Sequence, residues 1–323
     1  MAAQLGRQSH LGMLGRVSAS AISVKGLRKS YGEQEAVAGI DFEVASGEVF
    51  GFLGPNGAGK TTTIEILEGY RERSGGEVEV LGVDPGQPTR EWRSRVGLVL
   101  QECELDPLLT VREAVALFAT FYPAPRPVDE TIELTGLGDK REARVGSLSG
   151  GQKRRVDVAI GIIGDPDLIF LDEPTTGFDP TARRDAWNMI EGLKALGKTV
   201  FLTTHYMEEA QHLADRVAIL REGRIVAQGP TSELGASLGR RTVIGFRLNG
   251  GLTTEELRSH LSAPLQVAGG EVSVETEQPQ RDLYRLLALA EERGVTLADL
   301  EVRKPSLEDI FLDLTGNAAE TEK

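Results

Sequence analysis

From Ala21 onward, short and wholly apolar runs alternate with longer stretches of helical period. Val49-Phe50-Gly51-Phe52-Leu53 is the clearest such run, and Val96–Leu100, Leu168–Leu171, Val200–Leu202 and Val217–Leu220 share its character. A strand with one wet face alternates apolar and polar residues, whereas one that is apolar throughout is covered on both faces. Runs of this kind separated by helices predict an α/β fold with a largely parallel sheet between helical layers. Ile22–Val49 instead alternates and carries turn residues, so an antiparallel portion is expected near the start.

A second unit begins near Thr231. Strands are expected at Thr242–Leu248, Pro264–Ala268, Glu271–Glu275 and Leu300–Arg303, with helices at Thr254–Leu261 and Arg281–Arg293. Thr253 followed by Glu256 has the spacing of a capping box. The order β-α-β-β-α-β is that of a ferredoxin-like unit, and Ser306-Leu307-Glu308-Asp309 opens a last short helix. The expected division is a tail over 1–20, a first domain over 21–230 and a small α+β domain over 231–323. The tail lacks periodicity, and no Asp or Glu occurs before Glu33, so it reads as flexible.

Composition narrows the class. At roughly 100–200 residues per domain, 323 residues suit about two domains. A lone cysteine, Cys103, cannot form an internal disulfide, and it reads as a small packed residue. The net charge of −13 argues against a protein that grips nucleic acid backbone. No run approaches the roughly 20 apolar residues of a membrane span, and no secretory signal is evident, so the chain is expected to be soluble alone and to reach a membrane only through a partner. Glycine is overrepresented, at about 12% against a usual ~7%, which directs attention to loops.

The chemistry begins at Gly54-Pro55-Asn56-Gly57-Ala58-Gly59-Lys60-Thr61-Thr62, a P-loop pattern directly after the strand Val49–Leu53. Glycines let successive backbone N–H groups turn toward phosphate oxygens. The helix expected over Thr61–Glu68 presents its positive end to the same anion. Lys60 supplies a compact charge for the β- and γ-phosphates, and the Thr61 hydroxyl is placed to ligate Mg²⁺. This loop alone leaves kinase, GTPase and ATPase open. Leu168-Ile169-Phe170-Leu171 then ends in Asp172-Glu173. Neighbours on a strand point in different directions, so Asp172 is free to hold a metal through water while Glu173 orients or activates an attacking water.

Leu148-Ser149-Gly150-Gly151-Gln152 resembles the signature of ATP-binding cassette proteins, and other motifs agree with it in order. By that resemblance Tyr31 stacks on adenine, Gln101 senses the metal, Asp179 belongs to the loop Thr176-Gly177-Phe178-Asp179, and His205 is the switch histidine near the γ-phosphate. Phe178 departs from the leucine usual in that loop. The resemblance spans about residues 21–230 and implies a P-loop NTPase core with an antiparallel β subdomain and a helical signature subdomain. Lys153, Arg154 and Arg155 follow the signature, in a helix expected over Gln152–Ile163. Cations on a helix N-terminus are locally unfavourable, which makes sense if an anion docks there.

The family also implies partners. Ser149 and Gly151 would complete the ATP site of a second copy or a related chain, with ATP and Mg²⁺ as cofactors, and two copies would each bring a charge of −13 to that contact. Residues Glu102–Tyr122 correspond to the face that receives a permease helix. Asp172–Gly177, Thr204–Glu209 and Pro305–Phe311 resemble the daunorubicin-resistance type of export ATPase, which carries an added C-terminal domain. The expected function is therefore the ATP-hydrolysing subunit of an exporter of drug-like, lipid or other hydrophobic compounds, peripheral on the cytoplasmic face of the membrane. The alternative is a soluble cassette ATPase of translation or chromosome maintenance, disfavoured by the single motif set and the lack of sustained heptads. A regulatory module without turnover is disfavoured by the presence of both Glu173 and His205.

Overall fold

The computed structural model describes residues 20–99, 105–239, 241–248, 251–261 and 263–316. Nearly all of the proposed tail, and Gln101, Glu102 and Cys103, lie outside those residues.

The chain opens with strands β1 (Ser20–Tyr31), β2 (Gln34–Ala45) and β3 (Val49–Leu53), helix α1 (Lys60–Leu67), strand β4 (Gly75–Val80), helix α2 (Arg90–Ser94) and strand β5 (Val96–Val99). A helical stretch follows, with α3 (Val111–Ala119), α4 (Val128–Leu134) and α5 (Gly150–Ile162). The first unit ends with β6 (Leu168–Asp172), α6 (Pro180–Ala195), β7 (Thr199–Thr204), α7 (Met207–Leu213), β8 (Arg216–Arg221) and β9 (Arg224–Pro230).

The main sheet has six strands in the order β5-β6-β7-β3-β8-β9, parallel except for β9. Its strands are apolar throughout because both faces are covered. Along β6, Leu168 and Phe170 enter one core while Ile169 and Leu171 enter the other. The first core lies against an antiparallel sheet of order β2-β1-β4. There Phe42 stacks on Phe50 with centroids 5.7 Å apart, and Phe50 on Phe201 at 5.8 Å. The second core is closed by α5, α6 and α7. A third core joins α3, α4 and α5.

The remaining elements are α8 (Leu234–Ser237), β10 (Thr242–Arg247), α9 (Thr254–His260), β11 (Leu265–Ala268), β12 (Glu271–Thr276), α10 (Pro279–Glu292), β13 (Ala298–Arg303) and α11 (Leu307–Gly316). β10 to β13 form a four-stranded antiparallel sheet in the order β11-β12-β10-β13. This is the split arrangement expected of β-α-β-β-α-β, in which each crossover leaves room for one strand. The capping box is present: the Thr253 hydroxyl accepts from Glu256 N at 3.2 Å, and Glu256 accepts from Thr253 N at 3.0 Å. Ile244, Phe246, Val272, Val274, Leu257, Leu286 and Leu289 form a separate core.

Two elements beyond residue 231 pack into the first unit: Leu234 of α8 enters its second core, and so does α11. α11 does not join the small sheet's core. Leu307 and Ile310, each 2% exposed, pack with Leu213 and Ala214 in the second core of the first unit. Two polar ties fix it there: Leu307 N donates to Gln211 Oε1 at 3.2 Å, and Arg221 Nη1 donates to Leu314 O at 2.5 Å. An amphipathic helix shows which face it buries but not which core it buries that face in.

Candidate functional site

The P-loop occupies the turn between β3 and α1. Gly54 and Gly59 are required there sterically. A Cβ on Gly54 would lie 2.5 Å from Leu220 O, and one on Gly59 would lie 2.4 Å from Ala36 O. Gly59 also has φ +105, which side chains rarely adopt. Lys60 is 6% exposed; its Nζ donates to Gly54 O at 2.8 Å and to Pro55 O at 3.2 Å. Burial lowers the Lys60 pKa, while the Glu173 and Asp172 carboxylates oppose that. Pro55, Asn56, Gly57 and Thr61 are exposed around the mouth of the loop, Ala58 is buried beneath it, and Thr62 is half-buried.

Asp172 ends β6, and Glu173 turns out of the strand with φ +46, in the left-handed region. Thr203 holds that turn: its carbonyl and its hydroxyl oxygen each accept from Glu173 N at 3.1 Å, and the hydroxyl donates to Asp172 Oδ1. Glu173 Oε1 lies 3.9 Å from Lys60 Nζ, and its Oε2 lies 3.4 Å from His205 Nδ1. Among the described residues His205 Nδ1 has no hydrogen-bond partner. Lys60, Glu173 and His205 thus follow the C-terminal ends of β3, β6 and β7, which are adjacent in the sheet order. Ligands of open α/β sheets gather at that edge.

The other predicted residues take separate positions. Tyr31 ends β1, is 43% exposed, and is flanked by Lys29 and Arg71, whose charged ends lie 5.2 and 5.4 Å from its ring centroid. Asp179 caps α6, accepting from Thr181 N at 2.9 Å and Ala182 N at 3.1 Å. Ser149 caps α5, which starts two residues earlier than expected and so takes Gly150 and Gly151 into its first turn. Gln152 N donates to Ser149 Oγ at 3.3 Å, and Ser149 N donates to Gln152 Oε1 at 3.0 Å. Leu148 is buried in the helical core, whereas Ser149 and Gly150 are exposed. Among the described residues no hydrogen bond or ion pair joins this helix end to the P-loop.

The basic start of α5 is corrected by the structure. Arg154 is 8% exposed and donates to Asp172 O at 3.0 Å, while Arg155 is tied to Asp185 and to Gly136 O. Of the three cations, only Lys153 is exposed. Two of them are therefore internal braces, and Arg154 ties the helix to the end of β6. Sequence reasoning also missed Thr203, whose only signal was its place just before Thr204-His205.

Comparison with known proteins decides the family. Residues 37–176 match the family description "ABC transporter", and residues 242–306 match "ABC transporter domain-containing protein-like, C-terminal domain". The Nod factor export ATP-binding protein I of Rhizobium sp. (strain N33) is 40% identical over 310 residues, covering 94% of this chain and 100% of that protein. The chain belongs to the ATP-binding cassette family. The daunorubicin/doxorubicin resistance ATP-binding protein DrrA of Streptomyces peucetius is 38% identical, with 93% of this chain and 94% of that protein covered. Among solved structures, the ATP-binding subunit of an ABC transporter aligns with TM-score 0.61 at 27% identity, over 68% of this chain and 93% of that one. The dimeric cassette MJ0796 aligns with TM-score 0.57 at 25% identity, over 65% of this chain and 98% of that one. This cassette binds and hydrolyses ATP as a subunit of a membrane transporter, and such subunits dimerise and work with membrane permeases. Among the described residues no helix is long and apolar enough to cross a membrane.

Proposed function

We propose that this cassette powers export of hydrophobic, drug-like or lipid-like compounds through a separate permease, from the cytoplasmic face of the membrane. The observation that carries the catalytic part is the convergence of Lys60, Glu173 and His205 on three adjacent strand ends, with Glu173 3.9 Å from Lys60 and 3.4 Å from His205. The export assignment draws on relatives named for Nod factor export and for daunorubicin resistance.

In this reading the P-loop amides, from Gly54 to Thr62, wrap the phosphates, and Lys60 neutralises the β and γ groups. Tyr31 stacks on the base. Glu173 takes a proton from the attacking water as its oxygen bonds to the γ-phosphorus, while the bond to the ADP oxygen breaks. His205 holds the γ-phosphate or that water. The Thr61 hydroxyl and the Asp172 carboxylate are hard oxygen donors, and with Gln101 they suit Mg²⁺. In phosphate sites Mg²⁺ takes one or two protein ligands and otherwise phosphate and water. When bound, the ion neutralises charge on the β- and γ-oxygens.

In this reading Ser149 and Gly151, at the start of α5, complete the nucleotide site of a second cassette, identical or related, and the exposure of Ser149 and Gly150 supports it. Moving such a pair from 1:99 closed to 99:1 needs about 5.5 kcal/mol of differential binding, under about 3 kcal/mol for each of two nucleotides. Charge-assisted bonds to a γ-phosphate are of that size. Leu108, Leu117 and Phe121, at 69%, 50% and 64% exposure, lie in the segment expected to receive the permease.

Glu173→Gln tests the catalytic assignment. The variant keeps the shape of the site but loses the base, so it binds ATP, accumulates as an ATP-bound dimer on gel filtration and shows almost no turnover. Hydrolysis at the unmodified rate refutes the role of Glu173.

A further inference from the structure

Helices α6 and α7 meet along a seam that ties two parts of the site together. Arg183 and Trp187, one turn apart on α6, face Tyr206, Glu209 and His212. The Arg183 guanidinium lies 4.5 Å from the Tyr206 ring centroid, and the rings of Trp187 and His212 are 4.7 Å apart. Between these contacts lies Glu209, which is 0% exposed. A single oxygen, Oε1, accepts from the Thr175 hydroxyl at 2.8 Å and from Trp187 Nε1 at 3.3 Å. Among the described residues no hydrogen bond reaches Oε2, although the Thr204 hydroxyl and Arg183 both favour the charged form. Burial outweighs them and raises the carboxyl pKa.

A carboxyl is an expensive way to join two helices. A leucine would fill the seam without the desolvation cost, and buried polar groups with incomplete partners are commonly less stable than apolar replacements. A leucine could make neither bond, and the one to Thr175 is the one that reaches the segment of Glu173. Thr175 is fully buried, two positions after Glu173 and four before Asp179. Glu209 itself follows His205 by four positions. Glu173 and His205 approach to 3.4 Å without a hydrogen bond at His205 Nδ1, so their spacing depends on what holds the two backbone segments.

We propose that Glu209 is a positioning residue for ATP hydrolysis: its buried Oε1, shared by Thr175 and Trp187, sets the spacing between Glu173 and His205 and ties both segments to the middle of α6. The proposal rests on the roles given above to Glu173 and His205. It concerns no contact with nucleotide, so ATP affinity is unaffected by loss of the tie while the chemical step slows.

The test is steady-state ATP hydrolysis by the full chain, with nucleotide binding and thermal melting measured alongside. Thr175→Val is isosteric and deletes the donor, Glu209→Leu deletes the acceptor, and Glu209→Gln keeps an acceptor oxygen. Displacement of a reacting group by about 1 Å costs on the order of 100-fold, so Thr175→Val and Glu209→Leu should each lower kcat by about 10–100-fold with KM for ATP unchanged. The double variant should be no slower than the slower single one, and Glu209→Gln should recover most of the lost kcat. A purely structural seam would instead lower the melting temperature and leave kcat alone, which overturns the proposal. Multiplying losses in the double variant, or a Glu209→Gln enzyme as slow as Glu209→Leu, also overturn it. If Glu209→Leu does not fold, full-rate hydrolysis by Thr175→Val is enough to refute it. Glu173→Gln separates the two levels. Turnover by that variant removes the catalytic reading, whereas an inactive Glu173→Gln beside full-rate Thr175→Val and Glu209 variants removes only the positioning role.

Discussion

Glu68 carries a pH-dependent penalty that one substitution should relieve. It caps the C-terminal end of α1, and its carboxyl pKa is raised from 4.5 to about 8. Burial is the largest cause, and the negative charges of Asp172 and Glu65 add to it. The folded protein therefore keeps this proton up to about pH 8, while the unfolded chain releases it near 4.5. Between those values the unfolded state binds fewer protons, so stability falls as pH rises and levels off above the folded pKa. Each pH unit in that interval is worth about 1.36 kcal/mol, which gives an upper limit of about 3 kcal/mol at pH 7 and about 5 kcal/mol above pH 8. Glu68→Gln removes the titration with little change of shape. Allowing for relaxation around the charge, we expect the variant to be about 1–3 kcal/mol more stable than the parent at pH 7, or several degrees in melting temperature. Thermal melts of both proteins from about pH 5 to about pH 9, without nucleotide or divalent metal, measure this, and the gap should widen with pH and then flatten. A gap that stays constant over the range, or a less stable Glu68→Gln protein, refutes the assignment.

Two further outcomes follow from the same geometry. Lys60→Ala removes the one buried ammonium at the P-loop, and loss of charge-assisted contacts worth about 1.5–3 kcal/mol weakens ATP binding by about 10–100-fold in a titration; undiminished affinity sinks the P-loop assignment. Leu307→Ala opens a cavity under α11 and costs about 2–5 kcal/mol in denaturant unfolding of the full chain, because that helix closes the first unit's core. A loss below about 1 kcal/mol would mean the helix is only loosely docked.

The parts of the site carried by one contiguous segment were legible in the sequence. Glycines at 54 and 59, Lys60 after them, and two acids ending an apolar strand are local patterns whose chemistry follows from their spacing. The two covered faces of the main sheet were legible too, since Ile169 and Phe170 need opposite cores and the residues flanking them, Leu168 and Leu171, are both apolar. The β-α-β-β-α-β order was legible because its strands are short and separated by helical stretches, the first of them opened by a capping box. What stayed hidden involves side chains that meet across the fold. Arg154 reads as a surface cation beside Lys153, and only the closeness of α5 to β6 makes it a donor to Asp172 O. The docking of α11 and the Thr175–Glu209 bond, 34 residues apart in sequence, are hidden for the same reason. Hydrophobic period states that a face is buried and is silent on its partner.

The left-handed turn at Glu173 explains why so many ties converge on one residue. A non-glycine residue at φ +46 costs roughly 1–2 kcal/mol, and the turn persists only if its surroundings over-determine it. Thr203 supplies that from one side, with two oxygens on Glu173 N and its hydroxyl on Asp172. Arg154 supports the Asp172 carbonyl, and the Thr176 hydroxyl donates to Glu173 Oε2 at 3.1 Å. The left-handed conformation lets a strand that would continue straight instead aim its last carboxylate across β7 toward Lys60. Had the chain continued in the β region, alternation would have placed Glu173 on the face opposite Asp172 and away from the loop. The strain is therefore the means by which the acid after Asp172, which a regular strand would send to the opposite face, comes to lie 3.9 Å from Lys60.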